Sequence, residues 1–210
     1  MIKRIIGTCI LAAALAGCAV GNKIDYRAQS ISLNTGEAKT IALGVQDERP
    51  YVKSGSKTPQ FVGIQRGGFG NPFNVQTESG APLVEDFKAA ISSALTRSGA
   101  KVVASTYASS ESLDAIKAKL VATPADRHLL ITFKEWKTDS LMNTSLHYNI
   151  TARVLGSGGD AVAEKQLSGK DKISGNVTGT QTNAGSTVPA AFSRKLQALL
   201  SDPAIAAALK

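Results

Sequence analysis

Hydrophobic and polar residues alternate most regularly over 145–155, where nearly every second residue is apolar and the residues between them are mostly polar. A period of two predicts a strand with one buried and one wet face, an arrangement that antiparallel sheets permit. The glycine-rich segment 156–160 supplies a turn, and 161–173 predicts a long polar return strand. The sequence therefore predicts an antiparallel hairpin over 145–173.

A strand–helix–strand unit is predicted ahead of this hairpin. The apolar and β-branched run 39–45 indicates its first strand. Apolar residues then recur at three- and four-residue steps over 83–95, with Pro82 where a helix begins and Gly99 where it ends. A second strand is predicted over 101–105.

The remaining periodic segments complete an α+β prediction. They are a strand over 128–137 and helices over 110–121, 189–200 and 204–209. We expect a single domain whose mixed sheet has roughly four to six strands, a common size, with the helices packed on one face.

The segment 50–80 lacks a clear period and contains six glycines. Such stretches are usually functional loops, so a Gly/Phe-rich loop is predicted, with a short strand or half of a hairpin over 61–64. Large apolar side chains in a polar segment often mark an interaction site. The alternative is that the phenylalanines fold back over the core. The candidate contact residues are Phe61, Arg66, Phe69 and Phe73, together with Trp136, which is either an interface anchor or a residue at the rim of the core.

The first eighteen residues have the three-part layout of a secretory signal peptide. Residues 3 and 4 are basic, 5–15 are apolar, and Gly17 precedes Cys18. The apolar stretch is shorter than the roughly 20 residues that a membrane-spanning helix needs. The segment ending at Cys18 resembles the lipobox of bacterial lipoproteins, in which cleavage precedes the cysteine and acyl chains such as palmitate are attached to it.

This resemblance implies cleavage between Gly17 and Cys18. Residues 1–17 are then the signal peptide, 18–38 a lipidated N terminus and tether, and 39–210 the globular domain. Ala19 follows the cysteine where aspartate would favour inner-membrane retention, so the resemblance implies an outer-membrane location facing the periplasm. Since Cys9 leaves with the signal peptide and Cys18 is acylated, no disulfide is expected.

The chain is basic, with 24 Lys and Arg against 16 Asp and Glu. Removing Lys3 and Arg4 leaves 22 basic residues, and 22 − 16 gives a net charge of +6 for the mature chain. The cations are scattered, and export excludes nucleic acid as a partner. Mild attraction to anionic lipid or cell wall is the simpler interpretation.

Catalytic and metal-binding patterns are sparse. His128 and His147 are the two histidines, whereas a metal site needs several converging ligands. The sequence shows no nucleophile elbow between a strand and a helix, and 66–70 does not fit a phosphate-binding loop. We therefore expect no catalytic residue, metal site or cofactor, with an envelope hydrolase as the weaker alternative.

From Pro82 to the C terminus the chain resembles the YajG-like group of small bacterial lipoproteins. The parallels are the helix end at 95–99, the strand 146–152, the glycine-rich hairpin and the terminal helix ending near 199–203. The resemblance covers about two thirds of the chain and implies an envelope location and an α/β layout rather than an activity.

These observations predict a non-catalytic lipoprotein, anchored through Cys18 at the periplasmic face of the outer membrane. It would act as an accessory or binding module for another envelope component, most simply a protein. The alternative is a subunit of a multimeric secretion or appendage assembly, in which the chain would form a homo-oligomer.

Overall fold

The computed structural model of the chain describes residues 22–33, 39–175 and 184–210. Gly17 and Cys18, with the predicted cleavage site, lie outside the described residues. The strands are β1 (Lys23–Ile24), β2 (Thr40–Asp47), β3 (Phe61–Arg66), β4 (Pro72–Thr77), β5 (Lys101–Tyr107), β6 (Arg127–Ser140), β7 (Asn143–Leu155) and β8 (Ala161–Gly175). The helices are α1 (Pro50–Lys53), α2 (Leu83–Arg97), α3 (Leu113–Val121), α4 (Ala184–Leu200) and α5 (Pro203–Leu209).

The long strand β6 organises the sheet. One of its edges pairs with antiparallel β7 along almost its whole length, and β7 pairs with antiparallel β8. The other edge is shared by two parallel strands, because β2 pairs with 127–133 and β3 pairs with 138–140. The sheet continues from β2 to β5, and from β3 through β4 to β1. We call the gap between the end of β2 and the start of β3 along β6 the fork.

The predicted mixed α+β fold is confirmed, including the strand–helix–strand unit and the antiparallel hairpin formed by β7 and β8. Helix α2 buries the apolar stripe that its sequence predicted. One helix differs from the expectation of a single covered face. Ile116 and Leu120 of α3 pack with Ala42, Leu130 and Leu155, whose strand neighbours Ile41 and Leu129 belong to the main core on the opposite face.

The segment 50–80 as a whole is not the loop that its glycines suggested, and the half of a hairpin predicted over 61–64 is present as β3. It contains α1 and an antiparallel hairpin in which β3 pairs with β4. β4 escaped the sequence analysis because four of its six residues are exposed and Val75 is its one buried apolar residue, which leaves no apolar alternation to detect. Gly63 has a specific reason to be glycine, since a Cβ there would lie 2.0 Å from Thr138 Oγ1 on β6.

Part of the predicted tether belongs to the folded domain. Ile24, Tyr26 and Ile31 are buried in the main core, and the Ser32 amide donates to Gln197 Oε1 of α4 at 2.8 Å. Residues 22–33 are held by the same apolar packing as the rest of the domain. The stretch available as a tether therefore ends before Asn22.

Aromatic side chains fill the centre of the main core. Phe87 stacks on Phe133 with ring centroids 4.5 Å apart, and Trp136 meets Phe87 and Phe192 edge-on. Trp136 is 0% exposed, and its indole N–H donates to Tyr26 Oη at 3.2 Å. The interpretation of Trp136 as an interface anchor is wrong, because the sheet buries its ring beneath α2 and α4.

The fully buried side chain of Arg49 lies in the fork. Its guanidinium is paired with the Asp47 carboxylate, with Nε–Oδ1 and Nη2–Oδ2 distances of 2.9 and 2.7 Å. It also donates to the carbonyls of Phe61, Trp136 and Pro59. One side chain thereby satisfies backbone acceptors of β3, of β6 and of the segment before β3, at the place where no strand continues the ladder. The rigid five-donor geometry of arginine suits this role.

Replacing Arg49 with Met is expected to lower the free energy of unfolding by about 3–5 kcal/mol, because the Asp47 carboxylate would be buried without its cation and the Phe61, Trp136 and Pro59 carbonyls would each lose a donor. Urea denaturation measures the change. The matched control is Arg153→Met, which removes a pair with the half-exposed Glu164 and should cost about 1 kcal/mol or less. Equal losses in the two variants would contradict the assignment of Arg49 to the fork.

Candidate functional site: an apolar tip formed by two hairpins

Two hairpin turns project side by side from one edge of the sheet. β3 and β6 run parallel up to the pair Gln65↔Ser140, so the turns that follow them lie at the same end. The β3–β4 turn is closed by a hydrogen bond from the Gly67 amide to the Asn71 carbonyl at 2.9 Å. Gly70 in this turn has φ +79°, a left-handed conformation that favours glycine.

The two turns and the start of β4 carry a concentration of exposed apolar side chains. Phe69 is 103% exposed, Met142 76%, Leu141 54% and Phe73 36%. Among the described residues, the other exposed large hydrophobic side chains are Val103 and Val162, which lie elsewhere on the sheet. We call Phe69, Phe73, Leu141 and Met142 the apolar tip. Exposed apolar clusters of this kind mark interaction surfaces more often than isolated apolar residues do.

An ion pair fixes the two hairpins together at the base of the tip. Arg66 of β3 donates through Nε and Nη2 to the two carboxylate oxygens of Asp139 on β6, at 2.9 and 2.8 Å. The hydrogen bond from Arg66 holds the pKa of the Asp139 carboxyl below its usual range, despite the opposing effect of partial burial. The pair remains ionised near neutral pH and adds a side-chain link between β3 and β6 at the base of the tip, beyond their backbone pairing.

Basic residues lie on the strands behind the tip. In the register of the sheet, Ser145 of β7 pairs with Lys172 of β8, and His147 pairs with both Lys137 and Lys170. Lys170 and Lys172 are exposed. Burial lowers the pKa of His147, and the neighbouring Lys170 and Lys137 cations lower it further. The imidazole is therefore neutral near pH 7, and the positive charge behind the tip comes from lysines.

The structure divides the predicted contact residues into two groups. Phe61 is 2% exposed and packs in the core beside Tyr51, with ring centroids 5.6 Å apart, so its assignment as a contact residue is wrong for the same reason as that of Trp136. Phe69 and Phe73 lie at the surface with Arg66 beneath them, and their contact with a partner stays a prediction.

Leu141 and Met142 were missed by the sequence analysis. Their signal was available, because two consecutive apolar residues stand where β6 ends and β7 begins, a position where turns normally carry polar residues. The pairing of β3 with β6 that brings them next to Phe69 links residues more than seventy positions apart, and no local pattern reports it.

The two histidines lie far apart in the sheet. His128 pairs with Leu155 near one end of the β6–β7 ladder, whereas His147 pairs with Lys137 toward the other end. His128 Nε2 is 2.9 Å from the Thr123 carbonyl oxygen, a contact that fixes the ring locally. No group of three or more His, Cys, Asp or Glu residues converges as metal ligands in the part of the chain that the structure describes.

Within residues 22–33, 39–175 and 184–210, none of the helices combines the length and hydrophobicity needed to cross a bilayer.

Neither a protein-family model nor a curated protein matches this chain. Similar solved structures include a Xanthomonas campestris protein of the DUF330 family, with a TM-score of 0.49 and 11% identity, over 89% of this chain and 94% of that one. A PelC dodecamer from Paraburkholderia phytofirmans has a TM-score of 0.40 and 13% identity, over 80% and 92% of the two chains. Lipoprotein GNA1162 from Neisseria meningitidis has a TM-score of 0.32 and 14% identity, over 75% and 94%. Likenesses at this level carry no functional inference.

Replacing Phe69 with Ala should leave the free energy of unfolding within about 0.5 kcal/mol of the wild-type value, because the ring has no packing to lose. The matched variant Phe61→Ala should lose about 3–5 kcal/mol, since it opens a cavity beneath β3. Urea denaturation of the two variants checks the contrast. A large destabilisation by Phe69→Ala would mean that this ring covers the core and is not available to a partner.

Proposed function

We propose that the protein is a non-catalytic envelope lipoprotein that is anchored through acylated Cys18 at the periplasmic face of the outer membrane. It binds another envelope component through the apolar tip. The observation that carries the binding role is the full exposure of Phe69 beside Leu141, Met142 and Phe73. The anchor is supported by the lipobox-like segment ending at Cys18 and agrees with the resemblance to YajG-like lipoproteins.

The shape of the tip supports binding rather than catalysis. Small-molecule sites are concave and enclose most of their ligand, whereas the tip consists of two turns that project from the sheet edge. The charged pair closest to it, Arg66 and Asp139, is engaged in joining the hairpins. A projecting apolar surface can insert into a groove of another macromolecule or into a lipid surface.

A second candidate function, a subunit of a multimeric envelope assembly, is favoured by two sheet edges. Among the described strands, β5 pairs with β2 alone and β8 pairs with β7 alone, so each has one edge available. Joining the β5 edge of one copy to the β8 edge of the next would build a ring or filament. Light scattering of the processed protein that gives a monomer at all concentrations would exclude this candidate.

Photo-crosslinking in cells tests the proposed function. A photoreactive amino acid in place of Phe69 should form adducts with envelope components, because the tip meets its partner at the membrane. The same amino acid in place of Val162, which is exposed in the chain after the β7–β8 turn, should give few adducts. Adducts with cytoplasmic proteins at position 69, or equal yields at the two positions, would contradict the proposal.

The anchor is tested in the same cells by two cysteine variants. Cys18→Ser should abolish palmitate labelling, remove the protein from the membrane fraction and reduce adducts at position 69. The matched control Cys9→Ser changes a cysteine within the predicted signal peptide and should keep the labelling, the fractionation and the adducts. Membrane fractionation of Cys18→Ser that equals the wild type would contradict a lipid anchor.

A further inference from the structure

We infer that the component bound by the apolar tip is the lipid bilayer that holds the Cys18 anchor. In this arrangement the domain stands on the membrane with Phe69, Leu141 and Met142 inserted among the headgroups, and the β7–β8 turn points away from the surface. The inference rests on the proposed function and names the partner of its binding site. It is carried by the direction of the first strand, the length of the connection to Cys18 and the chemistry of the tip.

The direction of β1 places the start of the folded domain on the tip side. β4 begins at Pro72, which pairs with Arg66 at the base of the tip, and runs away from the tip toward Thr77. β1 lies parallel to β4, with Lys23 opposite Gln76, and the Gln76 amide donates to the Asn22 carbonyl. A chain that enters β1 in this direction arrives from the side of the sheet on which the tip lies.

The connection between the anchor and the domain is short. Four residue steps separate Cys18 from Asn22, and they span at most about 14 Å when extended. Because Lys23 pairs with Gln76, Asn22 lies level with Val75, and the three steps of β4 from Val75 back to Pro72 cover about 10 Å. The connection from Asn22 to Cys18 is therefore long enough to place Cys18 level with the base of the tip. Burial of Ile24 and Tyr26 in the core prevents the domain from lengthening this connection.

The end of the sheet opposite the tip, where Val162 lies, cannot approach the membrane that holds Cys18. From Val162 to Lys172, β8 runs ten residues, which is about 33 Å in a strand. Lys172 lies in the row of the sheet next to the tip, because it pairs with Ser145, which in turn pairs with Asp139. A connection of about 14 Å cannot bring the Val162 end to a membrane that also holds Cys18 without detaching β1.

The side chains of the tip suit a lipid surface. Phe, Leu and Met residues are large and apolar, and they replace the polar residues that turns normally carry. Such side chains partition into the boundary between headgroups and acyl chains, where an amphipathic surface sits about 5–10 Å deep. The exposed Lys170 and Lys172 lie behind the tip and would meet anionic headgroups, to which basic residues near a membrane are attracted.

Fluorescence quenching by brominated lipid tests this orientation. Phe69→Trp and the matched control Val162→Trp are made in the acylated protein and reconstituted into phosphatidylethanolamine–phosphatidylglycerol vesicles, with or without bromine on the acyl chains. Both positions are exposed, so either ring is accommodated without repacking. The wild-type protein, whose Trp136 is buried, supplies the background to subtract.

We expect the tryptophan at position 69 to lose roughly half of its emission in brominated vesicles, because it would lie within about 10 Å of the acyl chains, and the one at position 162 to keep its emission. Flotation of the protein without quenching at position 69, or with equal quenching at both positions, would overturn the inference and leave the anchor intact. In that case crosslinks from position 69 to an envelope protein would identify a protein partner. Failure of the acylated protein to float would overturn the anchor and the inference together.

Discussion

The buried ion pair between Arg49 and Asp47 is the constraint on which the arrangement of the sheet depends. β2 and β3 are both shorter than β6 and share its second edge. β2 ends and β3 begins partway along β6, which leaves a gap between them. The backbone carbonyls of Phe61, Trp136 and Pro59 near this gap accept hydrogen bonds from Arg49, and burying them with fewer donors would be costly. Arg49 supplies the donors and keeps its charge paired with Asp47. The fork is therefore a hydrogen-bonded part of the sheet and not a defect in it.

The fork also determines where the candidate binding surface lies. Because β3 continues along β6 beyond the gap, its hairpin emerges beside the β6–β7 turn, and the ion pair from Arg66 to Asp139 holds the two turns together. Without this second parallel pairing, Phe69 and Met142 would belong to separate parts of the surface. The same hairpin pairs through β4 with β1, where the chain enters the domain. Since Arg49 binds β3 of this hairpin, it influences the position of the tip and the position of β1 together.

Local patterns predicted the elements whose residues alternate or repeat regularly. The β7–β8 hairpin and α2 were predicted correctly because their buried faces follow periods of two and 3.6 residues. The first strand is predicted over 39–45, whereas β2 extends to the buried Asp47 and is followed by the buried Arg49, because pairing of charges inside a protein leaves no trace in hydropathy. Similarly, Trp136 and Phe61 are apolar residues in polar surroundings, and only the packing beneath α2 and around α1 distinguishes them from the exposed Phe69.

Hydrogen exchange of Arg49→Lys, read by mass spectrometry, tests the central role of the fork most directly. Lysine keeps a positive charge beside Asp47, but its three donors on one nitrogen cannot serve both the carboxylate and the three carbonyls that the five-donor guanidinium reaches. If Arg49 holds the fork, the variant should show faster exchange in β3 and β4 and in 134–140 of β6, with the β7–β8 ladder and α2 close to their wild-type rates. Unchanged exchange in β3 and β4, or an equal increase across the whole domain, would contradict the claim that Arg49 holds the hairpin and its tip in place.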